Sequence, residues 1–414
     1  MSRILVAACL GLIASATTAQ DAVIVIGESG DDLTVPTANP ADEAITDPDI
    51  APTEPLAAPA LPLEMPTDAG EEAYVASMTH SARHVRSHAV DAWTAYTIAD
   101  ALFMDRENSA GPLAVAGQST DTPGAPIITA GDVRFPTAFG ARIFQGWRAP
   151  DCTGVEIGYI GVWGMYAASR AVSATGSLAL PGELGGITGS GFEAATAIEP
   201  DTTSTLNGVE INVFDTRIYH GCRRHDPLPW RRSCDALDGT RATADWLVGI
   251  RWASLEEAAS LAVTALASDP PPVYRTTVYR VTTSSHLVGP QIGHRRRIEW
   301  SDWVFEGWIK AGLMGNLLAQ SQSAVVGPFD LVQIREPRSS TFASVGMIGD
   351  INTSIVRRFG DHWGVRAGYT MLWLTGVAPA TRQWDFGNTT TSGTRLVPGG
   401  VFLHGGTLGV EASW

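Results

Sequence analysis

The sequence is poor in lysine and cysteine, and after its first twenty residues it has no long apolar run. Lys310 is the single lysine among 28 basic residues, and four cysteines occur in 414 residues. No later stretch supplies the ~18 apolar residues that a membrane-spanning helix needs, and no Cys or Cys/His spacing is typical of zinc sites. We therefore expect neither a helical membrane anchor nor a metal centre.

The chain also lacks the basic surplus of a nucleic-acid-binding protein. Its formal net charge is −15, from 43 Asp+Glu and 28 Lys+Arg. The excess is local, because 13 acids, eight prolines and no Lys or Arg lie between Asp21 and Glu72. The remainder is nearly neutral. This excludes a protein that binds phosphates through a clustered cationic surface.

Three regions are predicted along the chain. Residues 1–19 resemble a secretory signal, with Arg3 ahead of an apolar core and small residues before the cleavage point. A lipoprotein signal ending at Cys9 would leave almost no apolar core. Residues 20–91 cannot bury enough apolar surface to offset chain entropy, so we expect a disordered acidic linker. Residues 92–414 form the folded domain.

The mature chain holds an odd number of cysteines. They are Cys152, Cys222 and Cys234. Export permits disulfides, and Cys222 and Cys234 are the natural pair by proximity, which would leave Cys152 free. Three free thiols are the alternative.

The folded domain shows a period of two. In His362–Val377, Trp363, Val365 and Tyr369 share one face, and small or polar residues alternate with them. Only a strand places alternate residues on opposite faces. Ten such runs occur: Trp93–Phe103, Val133–Arg148, Cys152–Ser169, Asn207–Tyr219, Arg241–Val263, Thr276–His294, Ile298–Leu318, Thr341–Phe359, His362–Gly376 and Val401–Trp414. The segment Leu255–Ala267 favours a helix by propensity, so it is either a strand extension or a loop helix.

Short and long connections broadly alternate between the runs. Ala149–Asp151, His294–Glu299 and Gly360–Asp361 are short, and Gly221–Thr240 is an oversized turn on the same side. Tryptophans cluster near strand ends, as in the aromatic girdles of outer-membrane barrels. The prediction is an all-β fold, an antiparallel transmembrane β-barrel of about 10 strands, with 8–14 possible. A soluble β-sandwich is the alternative.

Several motifs, taken in order, resemble the planctomycete-type outer-membrane β-barrel family of the porin-7 type. They are TGVEIGYIGVWG (153–164), ADWLVGIRWASLEE (244–257), HLVGPQIG (286–293), WVFEGWIKAGLMGN (303–316) and HWGVRAGYTMLWLTGVAP (362–379). The resemblance covers about residues 92–414, although Ala380-Thr381-Arg382 replaces the Gly-Asp that usually follows the last motif. It implies a barrel in the cell outer membrane and supplies neither a substrate nor catalytic residues.

The sequence offers no catalytic, cofactor-binding or metal-binding residues that we would assign. His80, His84 and His88 recur every four residues but lack a further ligand at metal-site spacing. Ser285-His286 and Asp361-His362 do not define a triad, which is a matter of geometry. The basic run Arg295–Arg297 is predicted to be a solvated turn. We expect a protein that is not an enzyme.

The last strand is predicted to contact both lipid and the outer-membrane assembly machinery. Leu408, Val410, Ala412 and Trp414 are expected to face lipid, while Glu411 faces the lumen and tolerates change to Gln. Trp308, Phe214, Leu372 and Leu374 are expected to narrow the lumen. Because ten strands enclose little space, the predicted function is a small-solute pore or a structural envelope barrel. The alternatives are a plugged barrel that displays adhesive or ligand-binding loops and, less favoured, an outer-membrane enzyme.

Overall fold

A computed structural model describes residues 22–25, 93–107, 111–118, 126–220, 241–267, 272–329, 331–388 and 395–414, with backbone only for 22–25 and 218–220. Most of these residues lie in strands. Most of the predicted acidic linker falls outside the described residues. So do His80, His84, His88, Cys222 and Cys234. Within the linker range, only Ala22–Val25 is described, and it pairs in parallel with Ser169–Val172.

Ten long strands form a closed antiparallel ring. They are β1 (Thr94–Glu107), β2 (Ala138–Arg148), β3 (Thr153–Val172), β4 (Ala195–His220), β5 (Arg241–Ala267), β6 (Val273–Trp300), β7 (Trp303–Gln322), β8 (Arg338–Phe359), β9 (Trp363–Val377) and β10 (Gly399–Ser413). Each strand pairs with its neighbours in sequence, and β10 returns to β1 with Phe402 opposite Glu107 and Ser413 opposite Tyr96. The predicted ten-stranded antiparallel barrel is confirmed.

The two ends of the barrel differ. One end, here called the short-turn end, also holds Trp93 and Trp414. Short turns join the strands there, at residues 149–152, 301–302 and 360–362. At the other, the long-loop end, residues 173–194, 323–337 and 378–398 connect strands. Strands β4 to β8 reach 20 to 28 residues, whereas β9 and β10 have 15 each. One side of the wall is therefore taller than the other.

Most strands extend beyond their predicted bounds, and three differ most. Strand β4 begins at Ala195 rather than Asn207, and the doubtful segment Leu255–Ala267 is strand. Strand β6 runs to Trp300, so the predicted solvated turn at Arg295–Arg297 is wrong. The physical reason is that Arg295 and Arg297 point into the barrel, where carboxylates from other strands neutralise them.

The two faces of the wall carry opposite chemistry. In β9, Val365 and Tyr369 are exposed on the outer face, while Arg366 between them is fully buried. In β10, Leu408 and Val410 are exposed, and Glu411 points inward to Arg297. This is the alternation that the sequence predicts, with apolar residues outside and polar residues inside.

Candidate functional site

The bore, meaning the space enclosed by the ten strands, holds a dense ion-pair network in its lower half, towards the short-turn end. Arg366 lies at its centre with a side chain that is 0% exposed. Its guanidinium contacts Asp100 at 3.2 Å, Glu306 at 3.1 Å and Glu411 at 3.4 Å. Three other strands thus supply the carboxylates that neutralise one arginine of β9.

Neighbouring ion pairs extend this arrangement around the wall. Arg142 binds Asp100 at 2.6 Å. Arg297 contacts Glu306 at 3.0 Å and Glu411 at 2.5 Å. Each of these carboxylates therefore has two cationic partners, which offsets part of the cost of removing charges from water. The predicted tolerance of Glu411 to Gln assumed a free carboxylate in the lumen. The carboxylate is instead paired with two arginines.

A second group of charges lies on β3 to β7. Arg295 binds Glu156 at 2.5 Å and Asp245 at 2.7 Å. Lys310, the single lysine, is 3% exposed and pairs with both Glu156 and Glu210. Buried charges are rarely tolerated without partners, and these lie where partners from several strands converge.

Trp308 joins the two groups. Its ring lies 4.6 Å from the Arg142 guanidinium carbon and 5.8 Å from that of Arg366. Its indole N–H donates to Asp350 at 3.3 Å, and Phe144 packs edge-on against it. Cation–π contacts of this kind gain strength when water is excluded. The predicted inward position of Trp308 is confirmed.

The bore is narrow at this level. Between Arg142, Phe144, Arg251 and Asp350 lies a cavity of ≈ 10 Å³. That volume is at the lower limit for holding a single water molecule. The side chains around this cavity therefore leave room for about one water molecule between them.

Above the network, the bore is apolar. Along β5 the inward residues change from Arg251 to Ala253 and Leu255, both buried. Leucines and methionines from other strands complete this layer: Leu102, Met104, Leu206, Leu287, Met314, Leu372, Leu374 and Leu403. The predicted inward positions of Leu372 and Leu374 are confirmed, as is that of Phe214 lower in the bore.

The long-loop end is closed by a plug built from the connections. We use the term plug for the loop residues Leu178, Leu180, Leu184, Phe192, Val325, Trp384 and Phe386 together with the strand residues that they contact. Leu261 and Val263 of β5 and Val281 of β6 form the wall behind it. Backbone hydrogen bonds join its loops, with Leu184 N donating to Phe386 O at 3.0 Å and Phe329 N donating to Ser190 O at 3.1 Å.

Glu257 fastens the plug to the wall. Its carboxylate accepts from the Ala380 amide at 2.8 Å and contacts Arg106 at 2.5 Å. Ser204 of β4 donates to the same carboxylate at 3.2 Å. One inward residue of β5 thus holds the 378–398 connection against two further strands.

The candidate catalytic residues are not brought together. Ser285 is buried and accepts from the Ala378 amide, while His286 lies on the outer face and stacks on Trp252. The His362 ring hydrogen-bonds to Ser413 O in a turn. Among the described residues, no group of three or more His, Cys, Asp or Glu side chains could hold a metal ion.

Cys152 is free, with its backbone at φ 71° in the turn between β2 and β3. Within the described ranges, no helix is long and apolar enough to cross a membrane.

The interior charges were missed by the sequence analysis as a set. Their signal is present, because Glu306, Lys310, Asp350 and Arg366 each occupy the inward position of an alternating run. The alternation places them inside but does not identify their partners, which lie on strands distant in sequence.

Comparison with known proteins assigns no family. No protein-family model and no curated protein matches the sequence. Among solved structures, the outer membrane protease OmpT from Escherichia coli is similar at 8% identity and a TM-score of 0.36, over 78% of this chain and 97% of that one. The TodX monoaromatic hydrocarbon channel gives 9% and 0.21, over 79% and 91%. A Pseudomonas aeruginosa FadL homologue gives 10% and 0.20, over 78% and 90%.

Scores this low carry no argument about the chain, and the resemblance to the porin-7 type family stays a prediction.

Proposed function

We propose that this protein is an outer-membrane β-barrel with a closed bore, which serves as a rigid scaffold for the tall wall and loops at its long-loop end. The outer face supports membrane insertion. Exposed aliphatic residues such as Ile250, Ile309 and Leu408 cover its middle. Exposed tryptophans lie near the short-turn end, where an aromatic girdle is expected: Trp93, Trp147, Trp300, Trp303, Trp363 and Trp414.

The filled bore is the observation that carries the proposal. Three successive layers occupy it, namely the ion-pair network, the apolar layer and the plug. A solute would have to displace side chains at all three levels. This favours the plugged alternative over the small-solute pore.

The proposed role depends on the rigidity of the barrel. A closed barrel satisfies every strand hydrogen bond within lipid, and the interior ion pairs tie non-adjacent strands to one another. Outer-membrane barrels direct their long loops outwards, so the tall β4–β8 side would stand outside the cell. It would present a surface whose position is fixed by the filled interior.

Planar-bilayer conductance of the refolded protein tests the closed bore. We expect no steady conductance from the wild-type chain. Replacing residues 379–398 by a short turn loosens only the plug, and Arg142→Ser with Trp308→Ala opens only the network, so each is expected to stay closed. A variant that combines both changes and also thins the apolar layer, with Leu255→Ala and Leu374→Ala, should conduct. Heat-modifiable gel migration shows which variants fold, and a conducting wild-type protein would contradict the proposal.

Lys310 offers an independent test because it is the single lysine. In a closed bore, its amine should not react with a water-soluble amine reagent until the protein is unfolded. Peptide mass mapping separates it from the α-amino group. As a matched control, a lysine placed at exposed Arg357 should react in the folded state. Rapid labelling of Lys310 in the folded protein would indicate an open lumen.

A further inference from the structure

The outer face of the tall wall carries a polar recess just beyond the apolar belt. It is an open recess of ≈ 610 Å³ along strands β4 to β8. We call it the hydroxyl groove, and its outward side chains are Thr203, Thr205, Glu256, Ala258, Thr282, Ser284, Ala319, Ser321, Ser339 and Thr341. Its volume lies within the range of small-molecule sites.

The strand register arranges these residues in two rows. Thr205, Glu256, Ser284, Ala319 and Thr341 lie side by side across five strands, because each is directly opposite the next. Thr203, Ala258, Thr282, Ser321 and Ser339 form the second row in the same way. Because most of these side chains are short, they leave a recess between the larger side chains on either side of the two rows. The rows offer many hydroxyl donors and acceptors with a single carboxylate.

A buried hydroxyl at the lower border points to a missing partner. Ser254 lies two positions below Glu256 on the same outward face of β5 and is 3% exposed. Its Oγ has no hydrogen-bond partner among the described residues. Leaving a buried hydroxyl unpaired costs free energy. Ser254 lies beside the groove and does not line it, so a polar ligand would supply the partner where it extends past Glu256.

An aromatic platform adjoins Ser254. His286 is directly opposite it in the register, and the Trp252 ring stacks on His286 with centroids 6.5 Å apart and planes at 14°. Trp252 is 39% exposed. Trp252 and Glu256 are four positions apart, so a ligand that reaches both spans about 13 Å at the rise of a strand. An exposed aromatic face therefore lies next to the carboxylate and hydroxyls of the groove.

This combination of groups fits a saccharide. The apolar C–H face of a sugar ring packs on an exposed aromatic ring, while its hydroxyls donate to a carboxylate and exchange hydrogen bonds with Ser and Thr. All the lining residues belong to described strands, and none of these is Lys or Arg, which disfavours an anionic phosphate ligand. We propose that the hydroxyl groove binds the saccharide headgroup of a glycolipid in the outer leaflet.

The choice of a lipid-linked sugar rests on the proposed membrane location. The row below Ser254 contains Trp252 and Val288, both exposed on the outer face, so the groove begins where the apolar belt ends. Lipid headgroups lie at that depth. A saccharide anchored there would already be concentrated at the site.

The test uses the full refolded protein in phosphatidylcholine nanodiscs that contain digalactosyldiacylglycerol, with phosphatidylglycerol as the sugar-free comparison. Native mass spectrometry counts the lipid molecules that remain bound to the protein when it is released from the nanodisc. We expect Glu256→Gln to lower retention of the galactolipid about fivefold, the difference between a hydrogen bond to a charged carboxylate and one to a neutral amide. Glu107→Gln, at an exposed carboxylate on the short side of the wall, is the matched control and should not change retention.

Ser254→Ala distinguishes ligand binding from a structural role. Since its Oγ has no partner among the described residues, the change should keep or raise the unfolding midpoint of the lipid-free protein and still lower galactolipid retention. The proposal would be overturned if the protein retained phosphatidylglycerol as well as it retains the galactolipid. It would also be overturned if free lactose occupied the groove equally well, or if the protein formed a dimer without lipid. A protein that stays outside the disc would overturn the proposed function, whereas an inserted protein that retains no galactolipid overturns this inference alone.

Discussion

The lower and upper halves of the bore are both filled, but by different parts of the chain and by different forces. Below, side chains of the ten strands pair charge with charge, as Arg366 does with Asp100 and Glu306. Above, four connections between strands fold back and bury residues such as Val115, Phe192 and Trp384 against the wall. The lower half is therefore built into the wall itself, whereas the upper half depends on segments that return to it.

This difference has an energetic consequence. A buried ion pair contributes little net stability, yet removing one partner leaves an uncompensated charge. Apolar packing is penalised instead by the cavity that a truncation leaves. The lower half should respond to changes of charge and the upper half to changes of volume.

Arg366→Ala should have the largest effect. It leaves Asp100, Glu306 and Glu411 facing one another without their shared cation, at a cost of about 3–5 kcal/mol. Urea unfolding followed by heat-modifiable gel migration measures the loss. Arg357→Ala is the control, because this arginine and its partner Asp302 are largely exposed and such pairs contribute at most about 1 kcal/mol. Similar losses for the two variants would show that the lower network is not a buried unit.

Leu255→Ala tests the apolar layer above. Its side chain is 1% exposed in the bore, so truncation should cost about 2–5 kcal/mol through lost transfer energy and a residual cavity. The same unfolding assay applies, with exposed Leu408→Ala of β10 as control. If Leu255→Met, which nearly conserves volume, were as harmful as the alanine variant, volume would not be what the layer requires.

Glu411→Gln should have an intermediate effect. The amide keeps an acceptor but loses the charge that pairs with Arg297 at 2.5 Å and Arg366 at 3.4 Å. We expect a loss of about 1.5–3 kcal/mol, the range for a hydrogen bond to a charged group. Equilibrium unfolding again reports it, with exposed Glu107→Gln as the matched change. An unchanged midpoint would restore the interpretation that Glu411 is a free lumen carboxylate.

The sequence predicts the strands of the wall well, because the residues of each strand alternate between those that face outwards and those that face the bore. Trp363 and Arg366 differ in chemistry because one faces outwards and the other faces the bore. It predicts the ends of strands less well. Leu255–Ala267 favours a helix in isolation, but its inward residues Leu261 and Val263 pack against plug residues from connections elsewhere in the chain.

Contacts between distant segments explain what the sequence analysis missed at the site. Arg295 carries no sign of Glu156, which lies 139 residues away and meets it only after closure of the barrel. Glu257 likewise meets Ala380 across 123 residues. The hydroxyl groove is equally hidden, since each strand contributes two residues, all of them small except Glu256, that have no distinctive pattern alone.

The smallest effect is expected outside the bore, at Asp151 in the turn between β2 and β3. Its carboxylate accepts from the Thr153 hydroxyl at 2.7 Å and from the Thr153 amide at 3.1 Å. These hydrogen bonds lower the pKa of Asp151. A carboxyl whose pKa is lower in the folded state stabilises the fold above its unfolded pKa, and this contribution is lost as the pH falls through the folded value.

Asp151→Asn should therefore lower the urea midpoint slightly at pH 7 and by less at pH 3. The amide oxygen can still accept from Thr153, so the difference between the two pH values is the quantity to compare with the wild type. Asp361→Asn, in the turn between β8 and β9, provides the control. A larger loss at pH 3 than at pH 7 would contradict the assigned sign, and a loss as large as that of Arg366→Ala would mean that the turns, rather than the filled bore, hold the short-turn end together.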